Sequence, residues 1–424
     1  MGLSWNRVDS FNANRTSPYR PCPVCGSIQS RTITVFNGFQ FFTDSAEEPK
    51  RADVCQCLCL DCFALFMNPG YSSYGFKTLF AEAGCSYGSM SGRADEQRDW
   101  LDGRGLLGEG KRVLDVGCYD GGFLSKLPEN VLKTGVDIDG PAILRGRERH
   151  ARTGIEFIHG AFETFDIDKT PDLITVFHVL EHLPGPVEVL KKLRAISHAG
   201  TKALIEVPIL ENGATKDING FFSVQHMTHF SKASLGNALK RAGWRVVEAY
   251  ECAGYNGFRV LAMPGENPPS PPFANPPLIP PLIKGGEGGL VKGAGDIPLL
   301  HAYLSEWHRA LFEAGKRIER TLDTKRWVVW GGGMHTEFLY HTTSFFHAAP
   351  EREYMIVDGD RLKQGRSWRG IRIYGPSALS KVDWSVASLL ISSYGSQNEI
   401  AEAAISMNVP QDRITTLYDD VRVY

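Results

Sequence analysis

Three sets of residues in this chain have the types and spacing to do chemistry, and the first would seat a nucleoside. Residues 112–124 read RVLDVGCYDGGFL, and Asp137 follows 22 residues after Asp115, in the segment GVDID. Val113, Leu114 and Val116 make a short apolar strand. Gly117, Gly121 and Gly122 let the chain turn tightly and bring backbone N–H groups near a ligand, before a helix expected to open at Phe123. A second strand, residues 132–136, delivers Asp137 as a carboxylate suited to ribose hydroxyls. The loop does not spell GxGxxG and no Lys-Ser/Thr pair follows it, so neither a nicotinamide fingerprint nor a P-loop fits. The competing account is a strand-to-helix turn that only packs.

The second set is sulfur. Cys22-Pro-Val-Cys25 and Cys59-Leu-Asp-Cys62 are two CxxC knuckles among nine cysteines. The N-terminus lacks a basic stretch followed by an apolar segment, so the clustered thiols point to metal rather than to disulfides. Four thiolates spaced this way close a tetrahedral zinc site with no open position, which makes the metal structural. In a subdomain with a sparse core, it could supply about 10 kcal/mol or more of folding free energy. Cys55 and Cys57 leave the second pair of ligands open, and a redox thiol pair or inert cysteines are the alternatives.

The third set is imidazole: His178 and His182 in HVLEH, and His226 and His229 in QHMTHFS. HVLEH has the HxxEH spacing of some zinc peptidases, two imidazoles on one helix face. Its place after a fourth apolar strand argues instead for a pocket loop, with His178 lining it and His182 structural.

These groups need a frame. With 424 residues, 42% hydrophobic and 22% charged, the chain is long enough for two to three globular domains. Its net charge of −2 argues against a nucleic-acid partner, and nowhere do 18 apolar residues run together, which excludes a spanning helix. A cytoplasmic location is expected; no oligomeric state is implied. Residues 1–94 read as a cysteine-knuckle module and residues 95–263 as an alternating strand and helix pattern. That core ends in an antiparallel pair, residues 244–250 and 258–262. Residues 264–296 form a linker or insertion with eight prolines between Pro268 and Pro281. Residues 297–424 read as a smaller α/β domain, in which Gly331, Gly332 and Gly333 make a packing turn.

The run VLDVGCYDGGFL, GVDID, DLITVFHVLEHLPGP and ALIEVPIL resembles the class I S-adenosylmethionine-dependent methyltransferases. That resemblance implies an α/β, Rossmann-like core, with Asp115, Gly117 and Gly121 around the methionyl end and Asp137 at the ribose. Gly160, Ala161 and Phe162 would lie near adenine, and Cys118 packs.

With the paired CxxC, the LKQG…G segment at residues 362–370 and QHMTHFS, nearly the whole chain apart from the proline-rich segment resembles three-domain C-methyltransferases acting on nucleotide-activated keto-deoxysugars. The resemblance implies His226 as general base, with His178, Gln225 and Tyr87 orienting the substrate. The chain departs from the family pattern at Ser223, Gln225 and Cys85, where tyrosine, glutamate and tyrosine are expected. The expected activity is therefore C-methylation of a nucleotide-linked sugar. O- or N-methylation of another small molecule, RNA methylation and a non-catalytic donor-binding scaffold are the alternatives.

Overall fold

The computed structural model describes residues 15–16, 18–41, 51–79, 92–164, 169–212, 218, 223–253, 255–265, 296–319, 324–347 and 351–421. Tyr87, Cys85 and nearly all of the proline-rich segment lie outside them. Apolar runs between turn residues become the strands of a central seven-stranded sheet. They are β1 (Arg112–Val116), β2 (Leu132–Asp137), β3 (Ile155–His159), β4 (Leu173–Phe177), β5 (Lys202–Val207), β6 (Trp244–Glu251) and β7 (Phe258–Pro264). Their spatial order is β6-β7-β5-β4-β1-β2-β3. Strands β1 to β5 run parallel, and β7 is antiparallel to both of its neighbours.

Val113, Leu114, Ile174, Val176, Leu204 and Ile205 are buried because helices cover both faces of the sheet. The strand order reverses at β1, which pairs with β2 on one side and β4 on the other. In an open parallel sheet, the crevice beyond the C-terminal strand ends at such a point receives the ligand.

The helix expected at Phe123 is a single 3-10 turn, Leu124–Lys126. Pro128 explains the shortfall: it biases Leu127 away from helical angles, and Leu127 is extended at ψ 150°. The later crossover helices are properly started. Asp139 caps Gly140–Arg149 by accepting from the Ala142 N–H at 2.9 Å, and Ser231 and Ser234 form a capping box on Lys232–Arg241.

Two further sheets flank this core. The N-terminal one joins Ser30–Gln40, Arg51–Cys59 and Leu65–Met67 to a distant strand, Thr228–His229, with Leu65 opposite His229. The C-terminal one has six strands, with Arg326–Trp330 between Glu353–Val357 and Ala387–Ile391. Phe36, Phe39 and Phe41 pack in one cluster with Trp307, Trp327 and Phe338, so these two sheets share apolar contacts. The buried Glu337 carboxylate ties them together: it accepts from the Gln40 N–H at 2.8 Å and pairs with Arg369, which also donates to the Gly38 carbonyl.

Candidate active site

Asp115, Gly117, Gly121, Asp137, Ala161 and Phe162 all stand at or just past the C-terminal ends of β1, β2 and β3. Gly117 and Gly121 have φ of +82° and +79°. A Cβ on Gly117 would lie 2.0 Å from Val179 Cγ2, and one on Gly121 2.6 Å from the Phe157 ring. The glycines thus let the loop fold down onto its own protein neighbours, a physical reason beyond approach to a ligand.

The Asp137 carboxylate fastens the loop, accepting from the Tyr119 N–H at 2.7 Å and the Asp139 N–H at 2.8 Å. Each oxygen keeps a further lone pair for a ribose hydroxyl, and the buried Phe162 beside half-buried Ala161 gives an apolar wall. These residues fit an adenosyl group. Cys118 is buried, its sulfur 2.6 Å from where a Gly135 Cβ would be, so its close packing requires that glycine.

Burial pushes the Asp115 carboxyl up to about 7, although Thr175 Oγ1 donates to it at 2.7 Å. Because its folded value is raised, this group costs stability increasingly as pH rises from about 4 to 7. Asp115→Asn keeps the acceptor for Thr175 and removes the charge. It should match the parent near pH 4 and exceed it above pH 7 by roughly 2–4 kcal/mol in urea titrations. A constant difference across pH would sink this account.

Beyond β4 the chain makes an abrupt turn. His178 has φ +54°, an uncommon value for a residue with a side chain, and residues Leu180–His182 form a 3-10 turn. The one-helix-face arrangement that the HxxEH spacing offers, and that the place after β4 argues against, is absent: the turn at His178 separates the rings, His178 reaching Glu206 and His182 the Gln225 carbonyl, with Glu181 beside both. His178 Nε2 lies 3.2 Å from Glu206 Oε1, and Nδ1 lies 3.4 Å from Glu181 Oε1. Burial opposes its charge, but these two carboxylates prevail and raise it to about 9.

Glu206, fully buried at the end of β5, also accepts from Tyr255 Oη at 2.8 Å, Gln97 Nε2 at 3.2 Å and Arg259 Nε at 2.8 Å. Arg259 is itself fully buried and reaches Glu96 as well.

His182 turns the other way. Its Nδ1 donates to the Gln225 carbonyl at 3.0 Å, and its ring meets that of His226 edge-on at 4.9 Å. His226 in turn lies 5.7 Å from the His229 ring. Burial, then the neighbouring imidazoles, holds His226 well below the usual imidazole value, and burial brings His229 to about 4. Both rings are neutral at pH 7, as a proton acceptor must be. The Gln225 side chain is buried in this segment.

His178, His182, His226 and Gln225 thus come together, whereas Tyr87 lies outside the described residues. Sequence reasoning missed Glu181, Glu206, Tyr255 and Arg259 and treated His182 as structural. A usable signal was present: Glu206 and Arg259 are single charges inside the apolar runs ALIEVPIL and FRVLAM.

The two cysteine knuckles also converge. Cys22 and Cys62 sulfurs lie 3.6 Å apart, those of Cys25 and Cys59 3.5 Å apart, and all four fall within 4.8 Å of one another. Metal bonds of about 2.3 Å set tetrahedrally put sulfurs roughly 3.8 Å apart, so the cage suits a metal of zinc's size. Cys55 and Cys57 stand away in the strand Arg51–Cys59, close to Thr32.

Residues 93–249 match the methyltransferase domain family. An uncharacterised methyltransferase of Mycobacterium bovis is 28% identical over 133 residues, 30% of this chain and 62% of that protein. A mitochondrial ubiquinone biosynthesis O-methyltransferase of Schizosaccharomyces pombe is 32% identical over 94 residues, 20% of this chain and 33% of that one. The chain thus spans less than two thirds of the length of these curated relatives. Among solved structures, an S-adenosylmethionine-dependent methyltransferase from Clostridium acetobutylicum aligns at 10% identity and a TM-score of 0.36. That alignment covers 45% of this chain and 98% of the other.

Residues 93–249 thus match a methyltransferase domain, and the central sheet with its strand-end loops has the Rossmann-like fold of S-adenosylmethionine-dependent methyltransferases. Among the described residues no helix is long and apolar enough to cross a membrane.

Proposed function

We propose that this chain transfers a methyl group from S-adenosylmethionine to a carbon of a nucleotide-linked keto-sugar in the cytoplasm, with a structural zinc at Cys22, Cys25, Cys59 and Cys62. The observation that carries the reading is a shared wall. Val179 packs on Gly117, so the nucleoside loop and the histidine loop lie against each other at the point where the strand order reverses. Bound S-adenosylmethionine supplies an electrophilic methyl group. The protein's part is to align an acceptor with it and to make that acceptor nucleophilic.

A sugar carbon gains nucleophilicity when the proton alpha to the ketone is removed. His226, neutral among His182 and His229, takes that proton at a ring nitrogen. His178, fixed by Glu181 and Glu206, orients the acceptor with Gln225 and Tyr87. A second reading, O-methylation of a small hydroxylated acceptor, is favoured by Ser223 and Gln225 at positions where the resembling family has tyrosine and glutamate. The partial likeness to ubiquinone biosynthesis O-methyltransferases points the same way.

The test incubates the protein with isotopically labelled donor and a panel of nucleotide keto-sugars and hydroxylated acceptors, then maps the label by mass spectrometry. Label on carbon supports the first reading and label on oxygen the second; donor binding without any transfer overturns both. His226→Ala should lower turnover by about 10²- to 10⁴-fold with donor affinity intact, and unchanged turnover would remove the base assignment.

A further inference from the structure

Glu181 is buried at 1% exposure, yet neither of its carboxylate oxygens takes a hydrogen bond. Three imidazoles lie around it: His178 Nδ1 at 3.4 Å and His182 Nε2 at 3.8 Å from Oε1, with His226 beside them. The tautomer of His182 sharpens the problem. A carbonyl can only accept, so the 3.0 Å contact with the Gln225 oxygen puts a hydrogen on Nδ1. In the neutral ring, Nε2 then turns a bare lone pair toward a buried carboxylate. The charged His178 ring faces this carboxylate from one side, and a cation on the other would take up the His182 lone pair as well.

One ligand atom each from Glu181, His182 and His226 lies within 4.8 Å of the others. Bonds of about 2.0–2.1 Å at tetrahedral angles would bring such atoms to roughly 3.3 Å, a closure within the reach of side-chain rotation. The His182 Nδ1–H bond to a backbone carbonyl is also the outer-sphere contact that orients metal-binding histidines.

We propose that Glu181, His182 and His226 form a site for a borderline divalent cation such as zinc or cobalt, separate from the four-cysteine cage. Two imidazoles and one carboxylate suit these ions better than magnesium or calcium, which prefer all-oxygen sets. The site has a consequence that rests on the methyl-transfer reading above. An occupying cation takes the His226 lone pair that the base needs, so cation and turnover oppose each other.

Cobalt(II) titrated into the purified full-length protein tests the binding without relying on turnover. Cobalt in the cysteine cage carries intense thiolate charge-transfer bands in the ultraviolet. The second site should add an equivalent with only weak visible bands, and Glu181→Gln and His226→Gln should each weaken it about 100-fold or more. Thermal melts and near-ultraviolet dichroism identify any variant that fails to fold. His182→Gln, whose amide can still donate to the Gln225 carbonyl, provides a third variant. A single equivalent bearing thiolate bands overturns the site, as does a second equivalent indifferent to all folded variants. Turnover should fall as the second site fills and recover on chelation. Full turnover with that site loaded would overturn the base role of His226 and leave the site standing.

Discussion

Glu206→Ala should cost about 3–5 kcal/mol of stability, measured by urea unfolding, because it strips one partner from a buried ion pair. Arg259 is fully buried and opposite Glu206 in the ladder between β5 and β7, with Nε 2.8 Å from the carboxylate. Glu96 remains beside Arg259, but its side chain is 45% exposed and it is a weaker counter-charge for a desolvated guanidinium. The same substitution removes one of the two carboxylates that hold His178, so turnover should fall as well.

A double variant separates these effects. Glu206→Leu with Arg259→Met replaces a buried pair by apolar side chains, an exchange that is often neutral or stabilising. It should recover much of the lost stability and none of the lost turnover. Recovery of both would show that Glu206 only supports the fold. A drop below 1 kcal/mol in Glu206→Ala would show that the pair is weakly coupled.

The reach of the sequence differs sharply between these residues. Asp115, Gly117, Gly121 and Asp137 could be located because each sits within a few residues of an apolar strand, and local chemistry determines the turn. The antiparallel pair at residues 244–250 and 258–262 was legible for the same reason. The role of Glu206 was not, because its partner depends on a non-local register that places Arg259 directly across the sheet. HVLEH could be read by its place after a strand rather than by its spacing: a helical reading would put both histidines on one face, while one positive φ at His178 separates them. The neighbours of His226 depend on an even longer connection, since Thr228–His229 joins a sheet whose other strands end at Met67. No period in the sequence carries that information.

This same long connection gives the cysteine cage an influence on the histidine site. Removing a metal held by the four thiols, or substituting Cys59→Ser, should melt the knuckle end of the N-terminal sheet in a transition separate from that of the rest of the protein. Metal-dependent peptides draw about 10 kcal/mol or more from such a site. The loss here should be smaller, because Phe36, Phe39 and Phe41 remain packed with Trp307 and Phe338 at the far end of the sheet. The histidine segment, by contrast, lies near the knuckles. The Met67 N–H donates to the Met227 carbonyl at 3.0 Å, Arg20 donates to the same oxygen at 3.0 Å, and Tyr71 Oη donates to the Val224 carbonyl at 2.6 Å. Those bonds bracket His226. Chelation should therefore lower turnover while donor affinity, set at β1 and β2, changes little, and metal analysis, calorimetry and donor titration on one sample would reveal the split. A metal-free protein with an unchanged melt and full turnover would show that the four thiols are structural without a metal.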